Sequence, residues 1–275
     1  VPEDSLCSAG SSAGSAAAAV PLTVVRQNRT LGAAEDLDFA LSMLAAARTG
    51  GIGPTLRIYR PQPTVALGQR DARLPGFDAA ARACRAHGFE PLTRKAGGRA
   101  AAYHQGCLVL DHVEPGLEAV TGSRGRFAAF GELYASALRQ AGVDAAVGEI
   151  RGEYCPGEFT VHGVTGAGRK IKLVGTAQRV VSGAWLFSSV VVVQDAAPLR
   201  SVLADCYSAL GLEWNPDTAG AAEDAADVDV DIVEAALLQA YSARSPLVAV
   251  EFGELADSLR RGGATVSNTA ACPVS

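Results

Sequence analysis

The stretch from Lys172 to Val193 restricts the fold more than any other part of the chain. Two runs rich in β-branched residues, 172–181 and 184–193, are separated only by Ser182-Gly183, the signature of a tight antiparallel hairpin. Around it, predicted strands and helices alternate without a repeating βαβ period. The expected fold class is therefore α+β, a mixed and mainly antiparallel sheet with flanking helices, rather than a doubly wound parallel sheet.

Short strands are expected at 22–26, 55–60, 64–68, 90–94, 99–104 and 107–112. Residues 61–63, Pro-Gln-Pro, cannot continue a ladder and so separate the second strand from the third. The spacing of Leu37, Leu41 and Leu44 predicts a helix over 35–48, with acids in its first turn and Gly50-Gly51 after its end. Further helices are expected at 78–87, 127–141, 197–210, 230–243 and 251–261, the first of them closed by Gly88 and the second by Gly142. Residues 217–229 are acidic and rich in Ala and Gly, and read as an exposed loop. No internal repeat is visible.

Residues 1–21 are small and polar, without the basic start or strong apolar run of a secretory signal, and read as a disordered tail. No run of about 18 apolar residues could span a bilayer. The net charge of -5 offers no basic patch for nucleic acid or an anionic membrane. Six cysteines at 7, 84, 107, 155, 206 and 272 are scattered, with neither a CxxC pair nor zinc spacing, so no metal site is expected. Dispersed thiols of this kind suit a reducing cytoplasm.

Three segments could carry chemistry. In Arg94-Lys95-Ala96-Gly97-Gly98-Arg99, paired glycines let backbone N–H groups wrap a ligand, and Arg94, Lys95 and Arg99 could meet a phosphate or carboxylate. A turn with solvated charges is the ordinary alternative, and P-loop spacing is absent. In Glu153-Tyr154-Cys155-Pro156-Gly157, the Pro-Gly turn puts Cys155 on a loop, where it is either a reachable nucleophile or an inconsequential thiol. In Lys172-Leu173-Val174-Gly175-Thr176-Ala177-Gln178-Arg179, Lys172 opens a strand of buried character. Its ammonium could bind a carbonyl oxygen or lower a thiol's pKa, or simply be solvated.

Taken in this order, the GG-x-x-x-x-x-H run ending at His104 and the later KLVGTAQR resemble the biotin/lipoate protein ligase and octanoyltransferase superfamily. LRIYRPQPTVALGQRD and EDLDFALSMLA extend the resemblance, which covers about residues 22–212. That range is expected to be the catalytic domain, and 213–275 an acidic loop with a helical extension. YCPGEF followed by GRKIKLVGTAQR is similar to the cysteine-dependent branch of this lipoate–protein ligase A-like group. The resemblance implies an acyltransferase that moves an octanoyl or lipoyl group, through a thioester on Cys155, to a lysine of a lipoyl domain.

On that reading Lys172 lies beside the acyl carbonyl, and Lys172→Ala slows turnover without loss of stability. Arg94, Gly97, Gly98, Arg99, His104, Gly175 and Ala177 form the substrate pocket. Implied partners are lipoyl-domain proteins (the glycine cleavage H protein and the E2 subunits of 2-oxoacid dehydrogenases), with acyl carrier protein as a donor. No cofactor is implied for the transferase. The alternative is an ATP-dependent lipoate–protein ligase using ATP and Mg, with Cys155 incidental. Such ligases follow the histidine with Asp and an Asn-bearing turn, where this chain has Gln105-Gly106-Cys107. Nor does it carry the GRGRxGR-like loop of biotin ligases. A third reading, of a different class, is a non-catalytic acyl-binding protein.

Overall fold

The hairpin expected at Ser182-Gly183 forms the middle of the structure. A computed structural model describes residues 20–116, 119 and 121–264. Residues 1–19 of the expected tail, with Cys7 and Cys272, lie outside the described residues. The described elements are β1 (Leu22–Gln27), α1 (Ala33–Arg48), β2 (Thr55–Tyr59), β3 (Thr64–Leu67), α2 (Phe77–Ala86), β4 (Glu90–Thr93), β5 (Ala101–Tyr103) and β6 (Cys107–Pro115). They continue with α3 (Ser123–Gln140), β7 (Ala145–Val147), β8 (Val161–Val164), β9 (Lys170–Val181), β10 (Ala184–Val192), α4 (Ala196–Leu210), α5 (Val230–Ser242), β11 (Leu247–Ala249) and α6 (Phe252–Ala264).

Eight strands form one sheet in the order β11-β1-β2-β6-β10-β9-β8-β7. β1 runs parallel to β2 and β11, and every pair from β2 to β7 is antiparallel. A second sheet, β4-β3-β5, stands beside it. The α+β, mainly antiparallel class expected from the sequence is the one observed.

Alternation along the strands separates the two faces of the main sheet. Leu56, Ile58, Leu108, Leu110, Trp185 and Phe187 face α3 and α5, where Phe130 stacks on Phe187 at 4.5 Å between ring centroids. Val25, Val113, Ala184 and Leu186 face the other way, against Ala40, Met43, Leu44 and Ala47 of α1. Those four helix positions fall on one stripe of a 3.6-residue repeat, which fixes how α1 lies on the sheet. Leu37 and Leu41, expected to share that stripe, are only half-buried. They border the cavity described below.

The exposed loop expected over 217–229 is a correction. Its acids, Asp217, Glu223, Asp224, Asp227 and Asp229, do face outward, but residues 218–222 are buried. Ala219 bridges to Lys172 in parallel, and a Cβ on Gly220 would come within 2.6 Å of the Ile171 side chain. Small residues here let the backbone pass close over β9, a role that composition alone does not separate from an open loop.

Candidate active site

Between the α1 face of the main sheet, α1 itself and the loop that follows β4 lies a cavity of about 670 Å³. Arg94, Gly97, Gly98, Cys155, Lys172, Gly175 and Ala177 all border it. The three segments singled out in the sequence therefore converge on one site.

Cys155 sits on the connection between β7 and β8 with φ at 43°, one of two described non-glycine residues at positive φ. That conformation costs about 1–2 kcal/mol for a residue with a Cβ, so it persists only where the surroundings enforce it. Here they do. The Cys155 N–H donates to the Tyr207 hydroxyl at 2.8 Å, and that hydroxyl donates to the Ala100 carbonyl at 3.0 Å. On the other side, Lys172 Nζ donates to the Tyr154 and Cys155 carbonyls at 3.0 and 2.8 Å.

The sulfur is aimed at the glycine loop. The Arg99 backbone N–H donates to Sγ at 3.2 Å, and Arg94 Nη2 approaches it at 3.6 Å. Gly98, at φ 107°, makes this approach possible, because a Cβ there would stand 3.0 Å from Sγ and 2.4 Å from Arg94 Nη2. The Arg94 guanidinium is steadied by the Arg99 carbonyl at 2.8 Å. Two donors, one of them a full cation, thus meet the sulfur.

Lys172 borders the cavity, and its ammonium is engaged by the protein's own groups. An ammonium has three donors, and all three are taken: by the Glu153 carboxylate at 2.7 Å and by the two carbonyls just named. Glu153 is itself fully tied, accepting also from the Ile150 N–H and the Thr160 hydroxyl. Through these bonds Lys172 holds the cysteine loop in place.

Two further expectations are corrected. His104 does not line the cavity; its Nδ1 accepts from the Gly106 N–H and its Nε2 donates to the Asp195 carbonyl, both at 2.8 Å. It fastens the β5–β6 turn to the start of α4. The Arg99 guanidinium pairs with buried Asp71 at 3.0 Å, so Arg99 meets the site through its backbone.

The remaining described cysteines are no rivals. Cys84 and Cys206 are buried, and burial pushes the Cys107 thiol up to about 12. Sequence reading missed Tyr207, Asp71 and Glu153, and also Asp111 and Ser188, which border the cavity. Buried Arg57 donates to the Asp111 carboxylate at 3.1 Å and to the Asp36 carbonyl at 2.9 Å, forming a charged cluster on this face of the sheet; the charges in TLRIY and CLVLDHV, set inside apolar strands, were the available signal for it.

Residues 33–240 match the family described as the lipoyl protein ligase A/B catalytic domain, and the chain belongs to that family. It is similar to the octanoyl-GcvH:protein N-octanoyltransferase of Exiguobacterium sibiricum, with 30% identity over 179 residues. That match covers 64% of this chain and 62% of the relative, so it spans less than two thirds of the relative's length. Among solved structures, the chain resembles a bipartite lipoate protein ligase of an archaeal lipoylation system from Thermoplasma acidophilum. The TM-score is 0.64 at 20% identity, over 88% of this chain and 91% of that one. A lipoate-protein ligase A bound with ATP gives 0.62 at 22% identity, over 88% and 92%. At these identities the structural likeness speaks to the fold alone.

Proposed function

We propose that this protein moves an octanoyl or lipoyl chain between carrier proteins by way of a thioester on Cys155. The observation that carries the reading is the placement of Sγ at the cavity, facing Arg94 and the Arg99 N–H, on a loop held at positive φ. The activity named for the Exiguobacterium relative supports the same reading.

The acyl chain would lie in the cavity with its carbonyl beside Sγ. The sulfur attacks that carbonyl, a C–S bond forms, and the donor's bond breaks. An amide donor, such as the acyl-lysine of a glycine cleavage H protein, releases its amine with a proton; an acyl carrier protein releases its thiol. The lysine of an acceptor, such as an E2 lipoyl domain, then attacks the thioester and returns the thiol. Amide-to-amide exchange is nearly balanced in free energy, and a thioester passes downhill to an amide, so neither route requires a nucleotide.

The ATP-dependent ligase is the second reading, favoured by the fold shared with the ATP-bound ligase. In it the loop from Arg94 to Arg99 would meet phosphates. The Arg99 N–H faces sulfur and its guanidinium faces Asp71, which leaves that loop with fewer free donors for such a role. Incubation of an apo lipoyl domain with an octanoylated H protein, or with free octanoate and ATP, separates the two. Transfer from the H protein without nucleotide supports the transferase, and acylation only from free octanoate with ATP supports the ligase.

A further inference from the structure

The turn that follows β3, Gly68-Gln69-Arg70-Asp71, holds the loop that meets the sulfur and takes no part in the chemistry above. Asp71 closes this turn on itself. Its Oδ2 accepts from the Gly68 N–H at 2.8 Å, and its own N–H donates to the Gly68 carbonyl at 3.0 Å. The other carboxylate oxygen, Oδ1, accepts from Arg99 Nη1 at 3.0 Å. The Asp71 side chain is wholly enclosed, and a carboxylate in that position persists only with its donors in place. The pair therefore fixes where Arg99 stands.

Three more contacts tie the same segment to the glycine loop. The Arg94 N–H donates to the Leu67 carbonyl at 2.9 Å, and Gln69 Nε2 donates to the Arg94 carbonyl at 3.0 Å. A Cβ on Gly68 would stand 1.9 Å from the Gly98 carbonyl oxygen, so the two backbones approach as only a glycine allows. Both ends of the loop are thus fastened to one turn, Arg94 at its start and Arg99 at its end. These are the residues that reach the sulfur. The N–H that meets Sγ at 3.2 Å belongs to the residue whose guanidinium Asp71 holds. Arg94 Nη2 donates to the Arg99 carbonyl at 2.8 Å and so shares that anchor.

Resting on the thioester reading above, we propose that Asp71 is a positioning residue, and that the turn from Gly68 to Asp71 sets the distance and direction of the Arg99 N–H and the Arg94 guanidinium toward Cys155 Sγ. Asp71 does not border the cavity and acts through Arg99. A misplacement of about 1 Å at a reacting centre costs about a hundredfold in rate, so slack in this turn is read as lost turnover rather than lost binding.

Two variants loosen the turn from different sides. Asp71→Asn keeps the size of the side chain but only one acceptor oxygen, so it loses one of its two donors. Gly68→Ala leaves every charge in place and presses on the Gly98 carbonyl. Circular dichroism checks folding, and Gln69→Ala, which removes an exposed tie to Arg94, stands in should neither fold. Octanoyl transfer between carrier proteins should show kcat lowered at least about fivefold, with KM for the octanoylated carrier within about twofold of the wild type. Exchange of the Arg99 amide hydrogen, followed by nuclear magnetic resonance, should quicken at least about tenfold as the N–H leaves the sulfur. A smaller loss of kcat in a folded variant, a loss confined to KM, or unchanged exchange at Arg99 overturns the proposal. If the wild type forms no adduct on Cys155, the thioester reading fails by itself. Amide exchange then decides the role of the turn alone: quickened exchange in the variants upholds it, and unchanged exchange overturns it.

Discussion

Lys172 and Glu153 show how one ion pair decides what a loop does. Both side chains are essentially enclosed, at 3% and 0% exposure. Removing one partner of such a pair strands the other, at a cost of about 3–5 kcal/mol. Lys172→Ala should therefore lower the melting temperature clearly, contrary to the sequence expectation of unchanged stability. Lys172→Met combined with Glu153→Gln should recover most of the loss, and a double-mutant cycle by thermal melting checks this. Arg94 acts differently, since its guanidinium approaches the sulfur rather than the loop. Arg94→Gln should lower transfer about tenfold to a hundredfold, in the range of a lost charge-assisted donor at a reacting centre. Alkylation of Cys155 by iodoacetamide at fixed pH should slow in parallel. The cysteine at the cavity was legible in the sequence because a Pro-Gly turn follows it. The cation that serves it was not, because Lys172 and Arg94 lie on different segments and only the fold decides which one reaches the sulfur.

At the scale of elements, the hairpin and the longer helices were legible from period and turn chemistry, and each one appears. β7, β8 and β11, three or four residues long, were not. The burial of 218–222 was hidden because alanine and glycine look alike whether they face solvent or lie pressed against a strand. His104 carries a lesson of its own. A histidine after a glycine loop suggested a pocket wall, yet its ring joins two backbone segments outside the cavity. His104→Ala leaves those partners unsatisfied and should cost about 1–3 kcal/mol of stability. Acyl loading of the folded variant, measured by mass, should stay within about twofold of the wild type.

Across the whole molecule, one sheet serves two purposes with its two faces. The face toward α3 and α5 is an aromatic core around Phe130, Tyr134 and Phe187, and the face toward α1 holds the cavity and the Arg57 cluster. Asp111 within that cluster has its pKa raised above the ordinary value, by burial first and by repulsion from Asp36, against the pull of Arg57. A carboxyl raised on folding contributes stability that is complete below its unfolded pKa and is lost as pH rises through the folded value. Asp111→Asn has no proton to lose there. The melting temperature of the variant minus that of the wild type should therefore grow as pH rises from the ordinary aspartate range toward neutrality. A difference that stays flat or shrinks would show that Asp111 ionises in the folded state as readily as in the unfolded one.

The most direct measurement is made on Cys155 itself. The protein is incubated with an octanoylated carrier protein in the absence of nucleotide, quenched in acid and weighed intact, then weighed again after hydroxylamine. A single octanoyl adduct that hydroxylamine removes should form on the wild type, on Cys84→Ser and on Cys107→Ser, and should be missing from Cys155→Ser, whose transfer activity should fall at least a thousandfold. Full transfer by Cys155→Ser, above all transfer that demands ATP, would contradict a thioester on this cysteine and leave the ligase chemistry in its place.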